Sequence, residues 1–220
     1  MMENDKKAKI EVINVSKTFK GEQVLKDINL TLTDNKIYGF VGRNGSGKSV
    51  LFKIICGYMF PDSGKVMVNG KIIGKDVDFP ENLGALIETP GFIWYQSGLA
   101  NLQYLAKIRN QISKQKIKDT IRLVGLDPDS RKWVGKYSLG MKQRLGIAQA
   151  IMEDPDILIL DEPMNGLDES GVDDMRRLLL DYISPGRIIL ITSHNKEDIQ
   201  TLCDEVYYLQ GGKIVDVVKA

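Results

Sequence analysis

The sequence predicts an α/β protein with a mainly parallel sheet, an antiparallel β-subdomain near its N-terminus and a helical subdomain inserted into the core. Three observations carry that prediction. Gly42-Arg43-Asn44-Gly45-Ser46-Gly47-Lys48-Ser49 lies between an apolar run, Ile37 to Val41, and a helical pattern from Val50 to Cys56. Two more continuous apolar runs, Asp156 to Asp161 and Arg187 to Thr192, read as strands buried on both faces, the habit of parallel sheets. From about residue 98 to 153 the apolar spacing becomes that of helices.

In chain order, Ile10 to Val15 alternates as a half-buried strand, Lys17 to Gly21 reads as a turn, and Gln23 to Thr33 resumes as strand. Asp34-Asn35 turns the chain into the strand before Gly42. Gly57 to Gly64 is a loop by its proline, aspartate and glycines. Lys65 to Val68 and Lys71 to Ile73 are strand pieces joined by Asn69-Gly70, a strong hairpin signal. Leu83 to Glu88 is a strand that stops at Thr89-Pro90-Gly91. Helical periods cover 99–109, 114–124 and 138–153, with Asp127-Pro128-Asp129 between the second and third. Gly171 to Tyr182 and Lys196 to Cys203 are helical, and Val206 to Leu209 with Lys213 to Val218 close the chain as a strand pair. The expected division is one domain over 1–220, with core and β-subdomain in 1–88 and 155–220 and the helical subdomain in 89–154.

Composition narrows the function classes. The 220 residues carry 30 basic and 29 acidic side chains, a net charge of +1, so no field is built for nucleic acid. No apolar run approaches the roughly 20 residues that span a bilayer, and no secretory signal is legible. Cys56 and Cys203 lie far apart in apolar patterns and fit buried thiols of a reducing compartment. A cytoplasmic protein is expected, docking at a membrane only through partners.

Glycine, four residues, glycine, lysine and serine between strand and helix is the phosphate-binding P-loop. Gly42, Gly45 and Gly47 are expected to take conformations closed to residues with side chains, turning N–H groups inward around a phosphate. The next helix adds its positive end. Lys48 reaches the β- and γ-phosphates, and the Ser49 hydroxyl binds Mg²⁺. Gly42, Arg43, Asn44, Gly45, Ser46, Gly47, Lys48, Ser49 and Val50 are therefore the candidate nucleotide-binding residues. A P-loop alone leaves kinases, GTPases, recombinases and transport ATPases open.

The other polar strand ends narrow the choice. Asp161 ends an apolar strand where a carboxylate can hold Mg²⁺, and Glu162 is placed to take a proton from an attacking water. His194, the only histidine, follows the strand ending at Ser193, in the same structural slot. Its ring could hydrogen-bond a γ-phosphate or the water. Ser138 and Gly140 suit a helix N-terminus, either as a plain cap or as an anion site.

Together these residues resemble the ATP-binding-cassette (ABC) ATPase family along nearly the whole chain. The discriminating feature is their order: P-loop, helical insert, Ser-x-Gly helix start, Asp-Glu strand end, Leu167-Asp168 turn, Ser-His strand end. The resemblance implies a P-loop NTPase (RecA-like) core. The family signature Leu-Ser-Gly-Gly-Gln is similar to Tyr137-Ser138-Leu139-Gly140-Met141, departing at Leu139 and Met141. By resemblance Asp161 is the Walker B acid, Glu162 the general base, Asp168 the D-loop acid and His194 the switch histidine. Lys48 joins Glu162 and His194 as catalytic, and Phe19 matches the aromatic residue that stacks on adenine. Where the family has a glutamine entering the helical subdomain, Glu88 is favoured over Gln96, and is expected to ligate Mg²⁺ with Ser49 and Asp161. Glu88-Thr89-Pro90-Gly91-Phe92 resembles the ATPases of bacterial exporters for lantibiotics, bacitracin and related peptides.

The resemblance also implies ATP and Mg²⁺ as ligands, and a head-to-tail homodimer or paired cassette. Each ATP would rest on one P-loop and be capped by Ser138, Leu139 and Gly140 of the other subunit. Integral membrane permease subunits are the expected partners, holding the chain peripherally on the inner face of the cell membrane. The aromatic loop from Glu88 to Gly98, with Phe92, Trp94 and Tyr95, is the expected coupling surface. An ABC-type ATPase regulator not coupled to transport is the alternative. No nucleic-acid partner is expected.

Overall fold

The computed structural model describes residues 7–219, arranged around two sheets. The smaller is antiparallel, ordered β2 (Glu22–Thr33), β1 (Lys9–Phe19), β4 (Ser63–Val68), β5 (Lys71–Ile72). The larger is six-stranded, ordered β10 (Lys213–Lys219), β9 (Glu205–Gln210), β3 (Lys36–Val41), β8 (Ile188–Thr192), β7 (Ile157–Leu160), β6 (Leu83–Leu86). Its pairings are parallel except for β10, which runs antiparallel to β9 at the edge. The helices are α1 (Lys48–Ile55), α2 (Gly98–Arg109), α3 (Lys114–Leu123), α4 (Leu139–Ile151), α5 (Glu169–Tyr182) and α6 (Lys196–Leu202).

Strand periodicity divides the core into two layers. Successive side chains of a strand point to opposite faces. Ile157 and Ile159 of β7 thus join one buried cluster with Leu51, Phe52, Ile54 and Ile55 of α1 and with Ile10, Val12 and Ile28 of the small sheet. Leu158 and Leu160 join the other, with Leu145 and Ile151 of α4 and Met175 and Leu179 of α5. Each such side chain contributes about 1.5–3 kcal/mol by leaving water. The helix after the P-loop is therefore clamped between the two sheets, where Phe40 meets Phe52 edge-on at 5.2 Å. Cys56 and Cys203 are free and follow the ends of α1 and α6. Burial pushes both thiols up to about 12.

Element ends differ from expectation by up to two residues, and that of β1 by four; two of these shifts bear on the site. β1 continues through Lys17, Thr18 and Phe19, and the turn shrinks to Lys20-Gly21, both at positive φ. Asp62 holds that extension: its carboxylate accepts from Lys17 Nζ and from the Thr18 N–H, each at 2.7 Å. β6 stops at Leu86, not Glu88, and Glu88 takes φ 61°, in the left-handed region. Serines 97, 113 and 138 each cap a helix of the insert by accepting a backbone N–H.

Register brings the site together. Leu86 pairs Leu160 and Leu160 pairs Ile191, so the residues beyond β6, β7 and β8 emerge side by side, next to the loop leaving β3. This is the carboxyl edge of the parallel strands, where open α/β sheets bind ligands.

Candidate nucleotide and catalytic site

The P-loop is shaped by its glycines for two different reasons. Gly45 and Gly47 take φ 79° and 104°, as expected. Gly42 does not take a positive φ; it must be glycine because a Cβ would lie 2.4 Å from the Leu209 carbonyl oxygen and 2.5 Å from Ser46 Oγ. The N-terminus of α1 is formed by Gly47 without any side-chain cap, leaving its first N–H groups to a ligand. Ser46 Oγ is buried without a hydrogen-bond partner. Lys48 Nζ donates to the Gly42 carbonyl at 2.7 Å, so the ammonium lies across the mouth of the loop. Val50, on the first turn of α1, packs partly buried against the α1 core. Arg43 and Asn44 face a cavity of about 500 Å³ shared with Tyr208, Gln210 and Val215. Phe19 ends β1, partly exposed, with Lys17 Nζ 5.5 Å from its ring centre, and does not line that cavity.

Asp161 is fixed by two hydroxyls. Ser49 Oγ donates to one carboxylate oxygen and Thr192 Oγ1 to the other, both at 2.6 Å. Thr192 also accepts the Glu162 N–H at 2.8 Å, tying β8 to the turn after β7. Glu162 sits at φ 52°, which throws its side chain off the strand line. Its Oε2 accepts the His194 N–H at 3.3 Å, and its Oε1 stands 3.3 Å from His194 Nε2. That second contact is close enough for an ion pair but not aligned as a hydrogen bond, so Oε1 is buried with no donor. The His194 loop is held from below. Ser193 Oγ donates to the buried Asp198 at 2.7 Å, and Arg176 donates to the same carboxylate from α5 at 2.7 and 3.0 Å. Hydrogen bonds to Glu197 and then to Asp198 push the Arg176 guanidinium further up.

Glu88 lines a cleft of about 190 Å³ with Asp161, Glu162, Leu139 and Lys142, while its Oε1 pairs with Lys53 Nζ at 2.5 Å. Gln96, the competing candidate, faces a different groove beside Trp133. Ser138 accepts the Met141 N–H at 3.1 Å, and Asp168 caps α5 by accepting the Gly171 N–H. A Cβ on Gly140 would meet the Gly166 carbonyl at 2.7 Å, so this helix start lies against its own chain's Gly166 turn. Among the described residues no hydrogen bond or ion pair joins Ser138 or Gly140 to residues 42–49.

Sequence reasoning missed three supporting residues. Thr192 stands out only as a polar residue ending an apolar run, and Lys53 as the residue one helical turn after Ser49. Gln143 left no signal; it is buried and donates to the carbonyls of Glu162 and Pro163 at 3.0 and 3.1 Å. The donor set suits a hard divalent cation. Ser49 and Asp161 offer oxygen only, and among the described residues no cluster of three or more His, Cys, Asp or Glu forms a complete cage. Mg²⁺ is commonly held in this way, by one or two carboxylates plus phosphate oxygens and water.

Comparison with known proteins gives the family and the fold. The family described as ABC transporter matches residues 25–165. YybJ of Bacillus subtilis (strain 168), an uncharacterized ABC transporter ATP-binding protein, is 43% identical over 93% of this chain and 94% of its own. The bacitracin transport ATP-binding protein BcrA of Enterococcus faecalis is 40% identical over 95% of this chain and 68% of its own. The lantibiotic transport ATP-binding protein SrtF of Streptococcus pyogenes is 32% identical over 94% and 89%. The ATP-binding cassette MJ0796, solved as a dimer in a post-hydrolysis state with ADP and Pi, shares the fold. Its TM-score is 0.86 at 20% identity, covering 96% of this chain and 98% of that one.

Proposed function

The chain belongs to the ABC transporter family, and we propose that it is the ATP-hydrolysing subunit of an exporter of antimicrobial peptides or drugs, working with separate membrane subunits. The observation that carries the enzymatic reading is Asp161, oriented by Ser49 and Thr192, with Glu162 beside it. The loop from Gly42 to Ser49 and the free end of α1 hold phosphates, with the Lys48 ammonium exchanging the Gly42 carbonyl for a phosphate oxygen. Ser49 and Asp161 would hold Mg²⁺, with Glu88 within the same cleft. The bound ion offsets the charge of the phosphates. Glu162 accepts the proton of the attacking water; Oε1 has no donor of its own and so keeps a lone pair for it. His194 keeps that carboxylate facing the reaction from the side of β8.

The export reading is supported by the names of BcrA and SrtF, for bacitracin and lantibiotic transport. A head-to-tail homodimer is supported by the signature residues. Among the described residues no hydrogen bond or ion pair joins Ser138 or Gly140 to the P-loop of their own chain, and Leu139 is exposed at the cleft rim. A second copy would bring them over the facing P-loop. The integral membrane permease subunits would meet the loop carrying Trp94 and Tyr95. Both rings are exposed, and Trp94 stands edge-on to Tyr95 at 5.2 Å. Among the described residues no helix is long and apolar enough to cross a membrane.

Purified chain supplied with ATP and Mg²⁺ is expected to release phosphate, and Lys48→Ala to lose that release. An inactive wild-type chain that also fails to bind ATP overturns the enzymatic reading. A strain lacking the chain is expected to become more sensitive to lantibiotics or bacitracin; unchanged sensitivity removes the export reading alone.

A further inference from the structure

Glu88 enters the cleft with its carboxylate already paired to a cation of the chain. Lys53 Nζ lies 2.5 Å from Glu88 Oε1, and the two belong to different parts of the molecule. Lys53 is on α1, one helical turn beyond Ser49 and on the same face. Glu88 is two residues past β6, just as Glu162 is two residues past β7, and these parallel strands are neighbours with Leu86 paired to Leu160. One face of the P-loop helix therefore touches both strand ends: Ser49 reaches Asp161, and Lys53 reaches Glu88.

We propose that Lys53 is a positioning residue that parks Glu88 on the α1 side of the cleft and yields it to the divalent cation of a bound nucleotide. Metal and lysine then compete for one carboxylate. The inference rests on the ATP reading of the site and adds the device that gates Glu88.

Three features make the exchange workable. The pair is open to water, with the Lys53 and Glu88 side chains 28% and 63% exposed, and exposed ion pairs hold weakly. A divalent ion has twice the charge of the ammonium and prefers carboxylate oxygen. Glu88 is fixed at φ 61°, a left-handed conformation unusual for a glutamate, so the loop itself aims the side chain into the cleft that Asp161 and Glu162 also line. Letting go of Lys53 costs the loop no change of fold. Nucleotide binding at the P-loop would thus be reported to the loop entering the helical subdomain.

The test is a binding measurement that needs no turnover. The dissociation constant of a fluorescent ATP analogue is measured in EDTA and in Mg²⁺, and their ratio gives the contribution of the metal. Lys53→Met is expected to raise that ratio about two- to fivefold, the range an exposed ion pair commands. Lys53→Arg, which keeps the pair, is expected to restore the wild-type ratio. Glu88→Gln is expected to lower the ratio, and Lys53→Met added to it to change nothing further. A ratio unaffected by Lys53→Met, or an effect that persists with Glu88→Gln, overturns the proposal. If the wild-type chain binds the analogue under neither condition, it is the ATP reading of the site that fails instead.

Discussion

At the scale of residues, the site turns on how a carboxylate is kept in one orientation. Asp161 uses Ser49 on one oxygen and Thr192 on the other, and Thr192 is wholly buried at the end of β8. Partners that orient a ligating carboxylate typically matter 10–100-fold. Thr192→Val keeps the shape and removes the hydroxyl. It is expected to lower Mg²⁺-dependent turnover about 10–100-fold while costing about 2–4 kcal/mol of stability for the two lost hydrogen bonds. Steady-state kinetics across a Mg²⁺ titration, with a urea melt alongside, checks both halves. The P-loop was legible from residues alone because glycine, lysine and serine at fixed spacing have few other uses. Thr192 and Lys53 were not, because their partners, Asp161 and Glu88, are 31 and 35 positions away and meet them only through strand register and helix packing.

At the scale of elements, alternation and helical spacing located the strands and helices, whereas ends were decided by contacts the sequence hides. Phe19 stays in β1 because Asp62, across the small sheet, takes the Lys17 ammonium and the Thr18 N–H. Those bonds, Lys17 first, hold the Asp62 carboxyl below its ordinary range. A lowered folded value means the contribution is present above the ordinary carboxylate range and is lost as pH falls through the lowered one. Asp62→Asn is therefore expected to be less stable than wild type at neutral pH and to converge with it in acid. Parallel chemical melts at pH 7 and in the acid range check this; a constant gap contradicts it. A sharper constraint lies where β6 passes α4. A Cβ on Gly84 would fall 1.9 Å from the Ala150 carbonyl oxygen and 2.8 Å from Pro155 Cγ. Backbone cannot yield as a side chain does, so Gly84→Ala is expected to cost about 3 kcal/mol, the upper end of ordinary overpacking. That corresponds to a fall in Tm of roughly 6–12 °C for a chain of this size. Strand periodicity showed β6, but nothing in the sequence told which helix crosses it.

At the scale of the whole molecule, the two core layers meet at the sheet whose carboxyl edge carries the candidate residues Glu88, Asp161, Glu162 and His194. The small antiparallel sheet and α1 lie on one face, and the helical insert with α5 and α6 on the other. In the proposed reading, a ligand on the P-loop would meet one layer directly and the other through Glu88, Glu162 and His194. No hydrogen bond or ion pair among the described residues joins Ser138 or Gly140 to the P-loop of its own chain, and the proposed second copy would bring them to the facing one. In the proposed cycle, ATP closes two chains on each other; water, giving a proton to Glu162, then attacks the γ-phosphorus as its bond to the ADP oxygen breaks, and release of phosphate lets the chains part. Glu162→Gln keeps the shape of that side chain and removes its ability to take a proton. The most direct test is to measure phosphate release, ATP binding and sedimentation on that one variant. Turnover should fall at least about 100-fold, the lower bound for losing a general base, while ATP is still bound and the protein sediments as an ATP-dependent dimer. Undiminished phosphate release from Glu162→Gln would contradict the account at its centre.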